Sequence, residues 1–317
     1  MTTFTKLPVM ACFRRAMTFL LDFIRANEIM ATRQSQSVAK WALAPSVGIL
    51  SGFAFIPLAL VFYYAFLRYN LQDPDAVRWF GWNNFYYFIK DPFFLKNLLN
   101  TLLLLGGVIV TTVVGGVALA VLLDQPFWGR GIVRVLMISP FFIMPTVSSM
   151  VWKNLIMHPV FGLFAEIQRW FGVTQPFDWF GTIPLFSVGI IVAWQWLPYS
   201  ALILLTSLQS LDSEQKDASA MDGAKSWAYF RHIVLPHLAR PITVVILIQT
   251  IFLMNIFAEI KVTSVGGFAG NLTYLVFSQL NNANDVGAAA AGGLIAVVLA
   301  NIVSIFLVRL VGKNLEN

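Results

Sequence analysis

Six runs of mostly apolar residues alternate with polar stretches along this chain of 317 residues. They cover about 42–67, 98–123, 132–155, 183–208, 241–262 and 286–311. Each is long enough to cross a bilayer, which takes about 20 apolar residues in a helix. Prolines fall inside several of them: Pro45 and Pro57 in the first, Pro140 and Pro145 in the third, Pro198 in the fourth. Membrane helices tolerate proline because neighbouring groups satisfy the backbone atoms it frees. The pattern predicts an all-α, polytopic membrane protein with six transmembrane helices.

The longest polar island in the second half of the chain, 211–236, separates the fourth run from the fifth. Asp212 followed by Gln215 reads as an N-cap with its capping-box partner. Ala218, Met221 and Ala224 recur at helical spacing, a stripe of small or flexible apolar residues. Gly223 sits where one short helix would stop and turn. Trp227, Phe230 and Val234 form a second stripe, which Pro236 is expected to end. The island therefore reads as a helix-glycine-helix elbow on a membrane face, with an apolar side of its own built to dock into something. Asp222 is expected to cap the second short helix.

Composition agrees with membrane residence. Hydrophobic residues make up 58% and charged residues 11%, against about 25% charged in a soluble domain. One cysteine, Cys12, excludes a disulfide framework. The net charge of +6 is read as basic residues holding a cytoplasmic face, not as a nucleic-acid signal. Lys6, Arg14, Arg15, Arg25, Arg33 and Lys40 precede the first run, Arg130 and Arg134 follow the second, Lys216, Lys225, Arg231 and Arg240 lie on the elbow, and Arg309 and Lys313 close the chain. The positive-inside rule then makes both termini and the elbow cytoplasmic, in a multi-pass plasma-membrane protein. The first outer loop, with Arg68, Arg78, Lys90 and Lys96, runs against this rule. Before the first span, Phe13, Met17, Leu20 and Ile24 make an amphipathic stripe. It is read either as a surface helix or as an upstream extension, with Met30 the native start.

Candidate chemistry is sparse. No Gly-x-x-x-x-Gly-Lys-Ser/Thr loop is present, so the sequence offers no phosphate-binding loop of that kind. His158, His232 and His237 lack metal-ligand spacing and cysteine support, no cofactor is implied, and no nucleophile-base pair stands out. Polar residues inside apolar runs are more informative, because they are costly in lipid and face a cavity or the bundle interior. Gln195 and Tyr199 are four apart, with Trp196 beside both; Asn255 and Glu259 are also four apart, with Gln249 about a third of a turn away. Aromatic faces with amide and carboxylate groups suit a polyhydroxylated ligand. Hydrogen bonding between helices is the alternative. Aromatics crowd two outer loops, Trp79, Phe80, Trp82, Phe85, Tyr86 and Tyr87 in one, Trp170, Phe171, Phe177, Trp179 and Phe180 in the other. They read first as an interfacial belt, and beyond that as a docking surface for an external partner.

The segment Asp217-Ala218-Ser219-Ala220-Met221-Asp222-Gly223-Ala224, then Phe230, Ile233 and Leu235-Pro236, resembles the EAA loop of bacterial ABC-importer permeases. There, Glu-Ala-Ala is followed by Asp-Gly-Ala and by spaced Phe, Ile and Leu-Pro. Asp217 stands where Glu is usual, and Ser219 where Ala is. Trp82-Asn83-Asn84-Phe85-Tyr86-Tyr87, Asp91-Pro92-Phe93 and Asn100-Thr101 resemble the start of the core domain of sugar-type permeases. Gly266-Gly267-Phe268-Ala269-Gly270 resembles their outer loop, where Gly-Gly-Pro-Gly is usual; Phe268 and Ala269 stand in place of Pro-Gly, and the glycines allow φ > 0 for a tight reversal. Phe257-Ala-Glu-Ile, Asn271-Leu-Thr-Tyr-Leu-Val, Asp285-Val-Gly and Ala300-Asn-Ile-Val-Ser-Ile-Phe are similar to permeases for sorbitol and mannitol.

This resemblance, covering the chain from about Lys40 onward, implies the type I ABC-importer (MetI-like) fold. It implies a non-enzymatic permease subunit moving a sugar alcohol or sugar by alternating access. The partners it implies are a homologous second permease, two ATP-binding cassette ATPase subunits and a periplasmic solute-binding protein. The implied ATPase-coupling residues are Asp217, Ala218, Met221, Asp222, Gly223, Ala224, Phe230, Leu235 and Pro236. The chain divides in expectation into a cytoplasmic segment 1–40, a first helix with its outer loop 41–93, a core domain 94–311 containing the coupling loop 209–240, and a tail 312–317. The competing class is a secondary transporter or channel working alone, which calls for paired charges or broken helices at midmembrane; that class leaves the elbow unexplained.

Overall fold

The computed structural model describes the backbone of residues 33–312. The N-terminal stripe, the Met30 start and the last five residues lie outside these. Two compact units divide the chain, Met1–Leu60 and Val61–Asn317. In the first, the described residues belong to helix α1, Arg33–Ala65, which carries Pro45 and Pro57. Its apolar side chains up to Leu60 are largely exposed, as a lipid-facing helix demands.

The second unit holds the rest. After α1 comes a short hairpin, β1 (Leu67–Asn70) and β2 (Asp73–Trp79), with Leu67 opposite Trp79 and Arg68 opposite Arg78. Asn70 Oδ1 accepts the Gln72 N–H at 2.8 Å and tightens the turn. The hydrophobic pattern did not announce this hairpin; it is a small addition to a helical fold. Next come α2 (Asn83–Ile89), α3 (Phe94–Asp124) and α4 (Arg130–Ile138) with a 3-10 turn at Ser139–Phe142. Then come α5 (Pro145–Val151) with a π turn at Trp152–Ile156, α6 (Leu163–Trp170), α7 (Trp179–Thr182) and α8 (Pro184–Leu208). The elbow comprises α9 (Ser213–Met221), α10 (Ser226–Tyr229) and a π turn, Phe230–Val234. The chain ends with α11 (Leu235–Leu253), α12 (Ala258–Thr263), α13 (Gly266–Ala269), α14 (Leu272–Asn281) and α15 (Val286–Gly312).

Among the described residues, five helical stretches are long and apolar enough to cross a membrane: Leu43–Ala65, Phe94–Asp124, Pro184–Leu208, Ser226–Leu253 and Val286–Leu307. The third expected span is not one helix. Arg130–Phe142 and Pro145–Ile156 meet at an angle of 103°, and counting the pair as one span gives six. Pro145 causes the break: it lacks an N–H and pushes Met144 into an extended backbone with ψ 135°. The carbonyl of Ile143, freed at the break, is taken by Gln195 Nε2 at 2.6 Å.

The fifth expected span also stops short, at Leu253. Side chains satisfy the carbonyls this leaves. Asn255 Nδ2 donates to Ile251 O, Thr273 Oγ1 to Met254 O and Asn271 Nδ2 to Ile256 O. The reversal that follows is made by Ser264, at φ 63°, and not by the glycines of 266–270, none of which has positive φ. Their role is room: a Cβ on Gly266 would fall inside the Tyr274 ring, and one on Gly270 would meet Gly266 O.

The centre of the unit is the pairing of α3 with α8, which run in the same direction: a Cβ on Gly189 would touch Leu104, and one on Gly116 would lie 2.8 Å from Ser200 Cβ. Small residues let the two backbones approach, the usual device where lipid offers no hydrophobic drive. One end of this pair is sealed by Phe88, Phe94, Leu272 and Leu275. The other end is sealed by Val117, Ala120, Leu123, Leu204, Leu205 and Leu208 against Val234 and Leu238 from the elbow and α11. The elbow therefore sits at the opposite end of the bundle from the hairpin, α2 and α14. A 31-residue α3 spans about 45 Å at 1.5 Å per residue.

Candidate functional site: the elbow and the polar residues between the helices

The elbow folds as its residues dictate. Asp212 Oδ1 accepts the Glu214 N–H at 3.0 Å, capping α9. At the other end Ala224 N donates to Ser219 O at 3.0 Å, across Gly223 at φ 73°. This six-residue closure around a left-handed residue is a Schellman cap. Asp222 is the residue before that glycine and does not cap the second helix; Lys225 holds that position, with no side-chain capping bond. Nor does Pro236 end the second helix. The chain passes from Ser226 through the π turn into α11, so that Ser226–Leu253 forms one span of 28 residues. The wider turn accommodates the missing proline N–H.

Exposure divides the elbow residues into two sets. Met221 is 90% exposed and Trp227 69% exposed, and Asp217, Ala218, Asp222, Gly223, Ala224, Leu235 and Pro236 are exposed as well. Phe230, stacked on Trp227 with centroids 5.6 Å apart, is half-buried. Val234 and Leu238 are buried among the ends of α3 and α8. His237 Nε2 donates to Ser207 O at 2.9 Å, tying the start of α11 to the end of α8. One face of the elbow is anchored in the bundle, and the other presents the exposed Met221, Trp227 and small-residue stripe.

The six expected path residues separate in the same way. Gln249 is wholly buried. It accepts from Thr112 Oγ1 and donates to Ser200 Oγ, both at 2.8 Å, and so ties α3, α8 and α11 together. Gln195 is spent on the break at Ile143. Glu259 is 5% exposed, with the N–H groups of Phe257 and Glu259 beside its carboxylate. It lies on α12, beyond the end of α11, so it shares no helical face with Asn255.

Trp196, Tyr199 and Asn255 remain near open space. Tyr199 stacks on Phe141 at 5.5 Å, and Trp196 meets Tyr199, Phe141 and the exposed Phe252 at 5.4 to 5.7 Å. The Tyr199 hydroxyl has no hydrogen-bond partner among the described residues. Asn255 lines a groove of about 410 Å³ with Thr273, Asn301 and Ser304. Phe141 and Phe252 were missed in the sequence. The position of Phe141 between Pro140 and Pro145, and of Phe252 one turn before Asn255, was the available signal. Among the described residues no group of three or more His, Cys, Asp or Glu is placed to hold a metal ion.

Residues 113–317 match the family described as the inner membrane component of binding-protein-dependent transport systems. The chain belongs to this family. As a transport component of the inner membrane, it is 31% identical over 84% of its length to a probable ABC transporter permease protein, y4oQ, of Sinorhizobium fredii, covering 88% of that protein. It is 30% identical to the trehalose/maltose transport system permease protein MalF of Thermococcus litoralis, over 58% of this chain and 63% of that one. It is 27% identical to the inner membrane ABC transporter permease protein YcjO of Escherichia coli, over 92% and 98%. A crystal structure of a bacterial ABC transporter that imports the acidic polysaccharide alginate superposes with a TM-score of 0.73 at 17% identity, covering 88% of this chain and 98% of that one. At that identity the likeness concerns the fold: this inner membrane component has the helical fold of an ABC-importer permease.

Proposed function

We propose that this chain is the permease subunit of an ATP-driven importer for a sugar alcohol of the sorbitol or mannitol kind, or for a sugar. It pairs with a homologous permease, two ATPase subunits and an extracytoplasmic solute-binding protein, and it has no ATPase activity of its own. Both termini and the elbow face the cytoplasm. Residues 94–311 form the core, and 41–93 supply the first helix and its outer loop.

The elbow carries this reading. Its exposed Met221 and Trp227 are the apolar contact for the ATPase, and its second helix is continuous with a membrane-spanning stretch to Leu253. A displacement at Trp227 is therefore carried along one continuous helical stretch about 40 Å long, whose far end lies beside Phe252 and Asn255. That is the geometry alternating access requires: a continuous element biased from one end and felt at the other. Tyr199 and Asn255, with Trp196, Phe141 and Phe252 as apolar walls, make the solute contacts. Rings cover C–H surfaces while the hydroxyl and amide take solute hydroxyls. The trehalose/maltose relative supports the carbohydrate class.

Cross-linking tests the reading. Met221→Cys in a Cys12→Ser background, in the assembled complex, should cross-link to the ATPase subunit in an ATP-dependent way. A cysteine there that stays fully reactive to a soluble maleimide in the assembled complex contradicts it.

A further inference from the structure

At the end of the bundle away from the elbow, a polar cavity of about 370 Å³ opens between the hairpin, α2, α14 and the start of α15. Its walls include Arg68, Asn84, Gln279 and Asp285, with Phe80 and Tyr87 stacked at 6.1 Å and nearly parallel. It shares no lining residue with the Asn255 groove. The resemblance, the elbow and the path leave it unused.

The cavity is held open by bonds that do not fill it. Asn70 Nδ2 donates to Ala283 O and Leu71 N to Asn284 O, fastening the hairpin to the turn before α15. Gln279 Nε2 donates to Asp91 Oδ2 at 3.1 Å, fastening α14 to the turn before α3. Asn84 is 4% exposed, and both its hydrogen bonds come from Nδ2, to Ala65 O and Leu67 O. Its Oδ1 has no partner and is not fully sealed, on a residue that lines the cavity. Asp285 caps α15 through Oδ1, at 2.9 Å from Ala288 N, leaving Oδ2 free. The Arg68 guanidinium has no ion pair among the described residues, nor does Arg78 opposite it. The cavity is thus lined by Asn84 with an unpartnered amide oxygen, Asp285 with a free carboxylate oxygen and the unpaired Arg68, beside an aromatic wall.

We propose that this cavity is a second solute site, which takes a neutral polyhydroxylated molecule at the outer mouth of the permease. Hydroxyls both donate and accept. They satisfy Asn84 Oδ1 and Asp285 as donors and Arg68 as acceptors, while Phe80 and Tyr87 cover C–H faces. With one guanidinium and one carboxylate, Arg68 and Asp285, on its walls the cavity carries no net charge of its own, which suits a neutral solute. The inference deepens the carbohydrate reading of the importer and rests on it for the solute class.

The test uses the assembled permease-ATPase complex in nanodiscs, without solute-binding protein, with saturation-transfer NMR of sorbitol, maltose and glucuronate. Sorbitol or maltose should give transfer signals in the wild type. Arg68→Gln and Asp285→Asn should each weaken binding about tenfold, the loss expected for one charge-assisted hydrogen bond. Asn retains the helix cap, so the second variant keeps its fold. The exposed Tyr87→Cys, in a Cys12→Ser background, should be protected from maleimide by the same solute. Maleimide protection of Tyr87→Cys reads this cavity and not the Asn255 groove, with which it shares no lining residue, and so separates the cavity from the transport path. No transfer from either neutral solute, a preference for glucuronate, or binding indifferent to both charge variants overturns the proposal. If the cavity binds while Tyr199→Ala and Asn255→Ala transport normally, the path assignment fails and the cavity stands.

Discussion

The Ala224 N–H reaches back to the Ser219 carbonyl at 3.0 Å, and Gly223 between them holds φ at 73°. That closure sets the angle between the two short helices of the elbow. A side chain at Gly223 meets nothing within 4 Å, so its cost is backbone strain alone. Gly223→Ala should destabilise the cap by about 1–2 kcal/mol, read as faster amide exchange over 213–224 with the rest of the protein unchanged. Asp222→Ala, outside the capping position, should shift elbow stability by less than about 0.5 kcal/mol. A larger effect of Asp222→Ala than of Gly223→Ala in the same exchange experiment contradicts this account of the turn.

Gln249 ties three helices through two hydroxyls. Gln249→Ala leaves Thr112 and Ser200 facing a void and should cost about 1–3 kcal/mol. Thermal unfolding of the detergent-solubilised complex checks this. An unchanged midpoint means that the bonds to Thr112 and Ser200 contribute nothing.

Room at Gly266 is set by the Tyr274 ring. Gly266→Ala should lower stability and uptake, and adding Tyr274→Ala should restore much of the stability by removing the ring. Non-additivity in the double-mutant cycle is the expected result. Additive losses would place the strain in the backbone instead.

The elbow and five of the six expected apolar spans were legible because helical periodicity, a cap residue and a glycine are local signals. Where spans three and five break was not. Pro140 and Pro145 were visible, but whether a proline is absorbed or breaks a helix depends on a partner for the freed carbonyl, and Gln195 supplies it from 52 residues away. Likewise the four-residue spacing of Asn255 and Glu259 implied one face only while the helix continued; Thr273 of α14 and Asn271, which caps α14, serve the carbonyls at its end. The β1–β2 hairpin was hidden because its seven-residue second strand is exposed throughout and so lacks alternation. The glycines of 266–270 were recognised, but as turn formers and not as clearance for an aromatic ring.

Tyr199 and Asn255 face open space with polar atoms to spare. Tyr199→Ala and Asn255→Ala should each reduce uptake about fivefold or more, the loss of roughly 1 kcal/mol of contact, while the ATPase still co-purifies. Labelled sorbitol, mannitol, maltose and trehalose uptake in cells expressing the whole importer measures the effect and ranks the solutes. Wild-type rates in both variants would move the path elsewhere.

Reporter fusions at Gly129, Gly181, Gly223 and Gly270 resolve how the bent pair Arg130–Phe142 and Pro145–Ile156 is disposed. Cytoplasmic signals are expected at Gly129 and Gly223, and external ones at Gly181 and Gly270. A cytoplasmic signal at Gly181 would make the pair re-entrant and leave five spans.

The most direct test of coupling is Ala218→Lys, which sets a charge on the exposed stripe without touching the bundle. Co-purification of the ATPase, uptake and hydrolysis are measured together in membranes. The expected result is a normally inserted permease that loses the ATPase, or that retains it with hydrolysis no longer driving uptake. Full ATPase retention with wild-type uptake would contradict the role assigned to the elbow.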